Sequence, residues 1–418
     1  MKKKEVNLPM KMEVFRRLSL AAGIAIESYD STFLIVETGA LYACGNNSYG
    51  QLGLGDTQNR STLTRVSLEE SVKMVAIGNW FVFVLTVNGA LYACGYNSSG
   101  QLGLGDRQNR STLQRVALEE KVKTIVVSDH CTFVITVDGA LYACGDNDSG
   151  RLGLGDDWNR PTLQRVPVEE SVKTVVTTNN STFVLTVSGA LYACGYNISG
   201  QLGLGDNENR STLQRVPLEE SVDTVVTGGS SIFIVTVSGA LYACGYNGSG
   251  QLGLGDSENR LMLRRVPLEE SAIMVAAASG YVFVITVNGA LYACGHNLYG
   301  QLGLGDTRNR SKMQRVPLEE RVKTVVTNAS SVFVLGVSGT LYACGYNGFG
   351  HLGLGDNLSQ SKLVRVLIEE SVKTVAARGI STFILTIDCE LYACGYNSFG
   401  QLGLGDKELR SVFAPVTN

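Results

Sequence analysis

The 418-residue chain is short of net charge, proline, histidine and tryptophan, and each scarcity removes a class of function. Its 35 basic and 38 acidic residues leave a formal net charge of −3, with an isoelectric point near 5.8. Such a balance gives no basic footprint for generic attraction to nucleic acid or an anionic membrane, although it leaves a local basic patch open. No stretch approaches the ~20 consecutive apolar residues of a membrane-spanning helix. The three histidines, His130, His296 and His351, fall at different phases of the chain's repeat, and no CxxC or paired-His spacing exists. Neither a metal site nor a general base is therefore expected, and no cofactor. His130-Cys131 is the one adjacent base-and-thiol pair, and no Ser-His-Asp or Cys-His set accompanies it. Proline is rare at 7 and glycine abundant at 48, but the glycines recur at fixed positions, which marks turns rather than disorder.

What the chain does have is repetition. The stretch LYACGYNISGQLGLGD at Leu191 to Asp206 returns every 50 residues, starting at Leu41, Leu91, Leu141, Leu191, Leu241, Leu291, Leu341 and Leu391. A period this regular overrides the two or three domains that the length suggests. It demands a stack or ring of like units, each burying its apolar faces against neighbours. Eight of the ten cysteines are one position repeated, from Cys44 to Cys394. Equivalent residues on stacked sheets lie about 10 Å apart, beyond the ~7 Å between Cα atoms that a disulfide tolerates. They read as small buried thiols of a reducing compartment, cytoplasmic or nuclear.

The fourth unit shows the organisation. Val172 to Thr177 and Ser181 to Val187 are rich in β-branched residues and alternate with period two, as strands do. Ser188-Gly189 turns into a third strand, Ala190 to Gly195. A long glycine-rich turn over Asn197 to Asp206 follows, then a short fourth strand at Thr212 to Val216. A four-stranded antiparallel meander of this length is a propeller blade. The expected fold is all-β: a single closed β-propeller of eight four-stranded antiparallel blades over residues 24–418, with seven blades plus a displaced unit as the alternative. Residues 1–23 form an N-terminal extension. Its three lysines and the apolar run Leu18 to Ile26 imitate a secretory leader, but that run aligns in phase with Leu68 to Ala76. The run from Asn7 to Leu18 faintly resembles the opening of an F-box and is too short for a whole one. Both Val14 to Leu18 and Val412 to Val416 have the phase of the last blade's outer strand. The C-terminal segment is expected there, because it continues its own meander.

The pattern GxLYxxGxNxxGQLGxGD, present for example at Gly89 to Asp106, resembles the regulator of chromosome condensation repeat family across nearly the whole chain. The resemblance implies a propeller, of seven blades in members of that family; eight intact copies here predict eight. It also implies candidate partners. The founding member is a chromatin-bound exchange factor for the Ran GTPase that uses a β-wedge insertion. All seven intervals here are 50 residues, so no unit carries such an insertion. A relative inhibits a β-lactamase with its loop face. The plant ultraviolet-B photoreceptor of this fold uses a tryptophan cluster, whereas this chain has only Trp80 and Trp158.

Two repeated features imitate chemistry. GQLGLGD lacks the GK[ST] ending of a phosphate loop, and eight copies make it structural. The seven Glu-Glu pairs, Glu69-Glu70 to Glu369-Glu370, are expected to pair with arginines three or four residues earlier, as Arg215 before Glu219. Function is sought instead where the copies disagree, which is in loops at the blade rims. The candidate partner-binding residues are Tyr29, Asp30, Trp80, Phe81, Asp129, His130, Asn180 and Tyr281 between the first and second strands. Tyr299, Phe349 and Phe399 follow the third strand, in a position where Tyr49 also replaces the Ser of other copies, and Trp158 follows the GLGD turn. In the family the first of these loops usually ends in His before Thr. This chain has Ser, Cys, Phe or Tyr there, so family contact residues do not transfer. The expected function is a non-catalytic platform for a protein partner, with Ran-type nucleotide exchange and enzyme inhibition as alternatives. The sequence leaves the oligomeric state open.

Overall fold

The computed structural model describes residues 24–25, 30–178 and 180–416; the expected extension over residues 1–23 and Tyr29 lie outside them. Eight four-stranded antiparallel sheets follow one another, each ordered first to fourth strand as a plain meander. The protein is an all-β propeller of eight blades, as the eight copies predict. In the fourth blade the strands are Val172–Thr177, Ser181–Thr186, Leu191–Gly195 and Arg210–Arg215. The first three match the sequence reading to within a residue; the fourth starts two residues earlier.

Burial follows from the blade's position in the ring. All six residues of the second strand Ser181–Thr186 are buried, because its two faces each meet a neighbouring blade. One core cluster joins Phe183, Leu191 and Leu202 of the fourth unit to Val225, Ile234 and Cys244 of the fifth. Each fully buried Phe or Leu contributes roughly 2–3 kcal/mol. The Phe of the second strand, repeated from Phe33 to Phe383, is among the largest fully buried side chains. The core is thus a ring of interfaces rather than one centre. The repeated cysteines lie inside these interfaces, and burial pushes the Cys44 and Cys244 thiols up to about 12.

The GQLGLGD tract turns out to be an inter-blade clasp. Within its own unit it is held by Asn197, which is fully buried. The Asn197 amide donates to the carbonyl of Asp206 at 3.0 Å, and its oxygen accepts from the Leu202 backbone at 2.8 Å. The tract then reaches the next blade's outer strand. Gly205 N donates to Leu261 O at 2.9 Å, and Leu204 makes an antiparallel bridge to Met262. Gly200 has φ of +75°, and a Cβ there would stand 2.6 Å from the Leu261 Cα. Only glycine permits that approach.

The ring closes with the same clasp. Arg410–Pro415 pairs with the third strand of the last blade, so the C-terminal segment supplies the outer strand as expected. Leu404 then bridges Thr62 of the first blade, and Thr32 Oγ1 donates to Gln401 O at 2.8 Å. No strand is exchanged between the first and last blades among the described residues.

The Glu pairs do not find the arginines expected of them. Glu170 instead accepts from Ser188, and from Tyr192 Oη at 3.1 Å; Glu70 likewise accepts from Thr86 and Tyr92, each at 2.8 Å. The second Glu of a pair thus reaches forward to the next blade. The strong ion pair is a different one, formed within the turn: Arg210 Nη2 to Asp206 Oδ2 at 2.5 Å. It joins the end of GLGD to the start of the fourth strand. Six of the seven other units carry the same pair, as Arg60 to Asp56 at 2.6 Å does; the remaining one has Gln360 in place of the arginine.

Candidate functional site

An antiparallel meander places the first-to-second loops and the third-to-fourth turns of every blade on one side of the ring. Their backbones are joined there: Tyr96 N donates to Trp80 O at 2.8 Å, and Asn46 N to Asp30 O at 2.7 Å. The second-to-third turns and the blade-to-blade linkers share the opposite side, where Val72 N donates to Gly39 O at 2.8 Å. The described candidates therefore all stand at the loop-face end of their blades, whether exposed or buried.

On that face the aromatics form contacts across blades. Tyr49 of the first unit stands 5.0 Å, centroid to centroid, from Tyr96 of the second. Trp80 lies 5.5 Å from Tyr49 and 5.8 Å from Tyr96, with His130 of the third unit 6.4 Å beyond it. The same relation recurs at the other end of the chain. Tyr299 packs on Tyr346 at 5.2 Å, Phe349 on Tyr396 at 5.6 Å, and Tyr396 is 6.3 Å from Phe399. Edge-on arrangements of this kind suit aromatic quadrupoles. Closure of the ring makes units six, seven, eight, one and two consecutive, so the two clusters lie on one arc. Between them the first unit carries Asn46 where its neighbours carry Tyr96 and Tyr396.

The remaining candidates divide. Trp158 is 73% exposed and Tyr299 40%; Asn180 is exposed, and Trp80, Asp129, His130, Phe349 and Phe399 are half-buried. Asp30 is half-buried as well, and burial raises its carboxyl against a hydrogen bond from Asn46. Phe81 and Tyr281 are corrections. They open their second strands with 1% and 0% exposure, and Tyr281 Oη donates to the Ser331 carbonyl at 3.1 Å and to that of Asn328. A first strand position facing the neighbouring blade puts them in the core, not on the surface. Sequence reasoning passes over Tyr96, Tyr346 and Tyr396, which look like frame. Their signal is that the phase also takes Asn46, Asp146 and His296.

The other half of the face is open. Units two to five carry Ser99, Ser149, Ser199 and Ser249 where the arc has aromatics. Between units four, five and six lies a cavity of about 810 Å³, with Tyr196, Ser199, Gln201, Tyr246, Gln251 and His296 in its wall.

Nucleophilic chemistry finds little support. Cys131 is buried, its Sγ 2.9 Å from Ser128 Oγ, and burial pushes the thiol up to about 11. His351 is buried beside Ser331, Nε2 to Oγ at 2.6 Å. Among the described residues no group of three or more His, Cys, Asp or Glu could hold a metal, and no helix is long and apolar enough to cross a membrane.

Eight meander blades closed into a ring define a repeat-built β-propeller. The chain belongs to the RCC1-like domain family: residues 159–417 match the RCC1-like domain, and residues 38–85 and 88–135 match the regulator of chromosome condensation (RCC1) repeat. Among solved structures it is similar to human WBSCR16, at 20% identity and TM-score 0.65, covering 81% of this chain and 96% of that one. It is also similar to yeast RCC1 (Prp20) bound by Kap60, at 17% identity and TM-score 0.65 over 91% and 92% of the two chains. Prp20p of Saccharomyces cerevisiae, described with its binding properties to Gsp1p and histones, gives 18% identity and TM-score 0.64 over 88% and 92%. At these identities the likeness concerns the fold.

Proposed function

We propose that the protein is a non-catalytic platform that binds a protein partner on its loop face. The observation that carries this reading is the cross-blade aromatic arc built on Tyr49, Trp80 and Tyr96 and on Tyr299, Phe349 and Phe399. Partly exposed aromatics held rigid by a scaffold are favoured interface anchors, because they contribute large area at small entropic cost. The partner is a protein rather than a nucleic acid or a membrane, in keeping with the slight negative net charge. A reducing compartment, cytoplasmic or nuclear, suits the buried free thiols.

A second reading is nucleotide exchange on a Ran-type GTPase. It is favoured by the likeness to Prp20p, a protein characterised for binding to Gsp1p, and weakened by the uniform 50-residue spacing, which leaves no room for a wedge insertion. Inhibition of an enzyme would use the same face.

One experiment separates these readings. Release of a fluorescent guanine nucleotide from Ran is followed with and without micromolar propeller, and binding of Ran is measured in parallel. Accelerated release supports exchange. Binding without acceleration supports the platform, and loss of that binding in a Tyr49→Ala, Trp80→Ala variant assigns it to the arc. Neither binding nor release retires Ran as the partner.

A further inference from the structure

We propose that the central channel, at the end away from the loop face, is a binding site for a small multiply phosphorylated anion. This goes beyond the protein-binding reading and uses the other side of the ring.

The first strands of successive blades touch one another and so line the axis. Their second residue is Lys73, Lys123, Lys173, Asp223, Ile273, Lys323 and Lys373 in units two to eight, and every one of these lysines is exposed. This phase lies next to the linkers, on the side opposite the loop face. Two of these side chains run around the ring to the next blade. Lys173 Nζ reaches the Asp223 carbonyl at 3.0 Å and its carboxylate at 3.1 Å, and Lys323 Nζ reaches the Lys373 carbonyl at 3.5 Å. Five ammonium groups thus share one ring with a single carboxylate.

In units two, four, five, six and seven the second glutamate of the linker pair is committed elsewhere. Glu70, Glu170, Glu220, Glu270 and Glu320 are tied to hydroxyls of the second strands, turns and third strands, farther from the axis. Asp223 is the one carboxylate that any of the five lysines pairs with among the described residues. Like charges gathered around an opening with low-dielectric walls focus a positive potential on the axis, where an anion contacts several at once. Lysine offers rotatable point-charge donors, which suit phosphate oxygens presented in several directions. A multiply charged small anion matches a closed ring better than one carboxylate does.

The test is calorimetric titration of the full chain with inorganic tripolyphosphate and, separately, inositol hexakisphosphate, at about 20 mM and about 300 mM salt, across which screening rises steeply. Binding is expected at low salt and weaker at high salt. The triple variant Lys123→Gln, Lys323→Gln, Lys373→Gln should lose about tenfold in affinity, with circular dichroism showing an unchanged fold. Asp223→Asn should tighten binding, because it removes the opposing charge and frees Lys173. Lys312→Gln, on an outer strand, should change nothing. No binding at millimolar tripolyphosphate in dilute buffer overturns the proposal, as does equal binding by the triple variant. Binding of a single-stranded oligonucleotide or an acidic peptide without either phosphate compound also overturns it.

Discussion

Gly405 donates its backbone N–H to the carbonyl of Ser61 at 2.8 Å, across a sequence separation that spans nearly the whole chain. With the Leu404 to Thr62 bridge beside it, the last unit clasps the first as Gly205 of the fourth clasps Leu261 of the fifth. Closure is therefore no special joint, and damage at any clasp should cost about the same.

Glycine in the clasp should prove far less replaceable than glycine in a free turn. Gly400 has φ of +82°, and a Cβ there would lie 2.4 Å from the Ser61 Cα; Gly89 has φ of +86° with nothing within 4 Å. Gly89→Ala should cost about 1 kcal/mol, the left-handed backbone alone. Gly400→Ala should cost at least about 2 kcal/mol, since backbone must also move. Urea denaturation of the two variants reads the difference, and equal costs would contradict the clasp.

The buried Asn of the turn should matter more than its neutral side chain suggests. Asn397 donates to Asp406 O at 3.1 Å and accepts from Leu402 N at 2.9 Å. Asn397→Ala leaves both backbone groups without these partners, and a loss of about 2–3 kcal/mol is expected in the same denaturation experiment.

Stability should fall in mild acid because of one histidine. Burial holds the His351 imidazole down to about 4, from an ordinary 6.5. The folded state thus favours the neutral ring, and between pH 6.5 and 4 the unfolded chain binds more protons. The contribution is complete above pH 6.5 and is lost progressively as the pH falls toward 4, by about 3 kcal/mol at most. Six of the other units carry Gln at this phase, as Gln51 and Gln301 do, and the third carries Arg151. His351→Gln should flatten the stability profile across that window in pH-dependent melts; an unchanged slope would assign it elsewhere.

Neighbouring aromatics should separate core from surface. Phe81 is 1% exposed, and Phe81→Ala should cost about 3–5 kcal/mol. Trp80 is half-buried in the arc, and Trp80→Ala should cost no more than about 1 kcal/mol while weakening partner binding. Stability and binding measured on both variants decide which residue anchors the partner. A Trp158→Phe background leaves Trp80 as the single tryptophan, whose fluorescence should respond when the partner binds.

Much of this architecture was legible in one dimension. Eight uninterrupted copies set the blade number, period-two alternation set the strands, and the continuity of Val412 to Val416 with its own meander pointed to the closing strand, because each depends on local pattern. The candidate site was legible only in part. Variation among copies pointed to the loop face, yet Phe81 and Tyr281 stand in that variation and are core, since burial depends on the blade packed alongside. The arc was hidden for a related reason. Tyr49 and Phe399 are 350 residues apart in sequence and belong to adjacent units only once the ring shuts. The sequence by itself determined a closed ring of eight alike blades, through local hydrogen bonding and repeated apolar faces. Tertiary structure alone decided which variable residues become neighbours and which lysines share the innermost ring of strands, because circular closure brings together positions that the linear chain keeps apart.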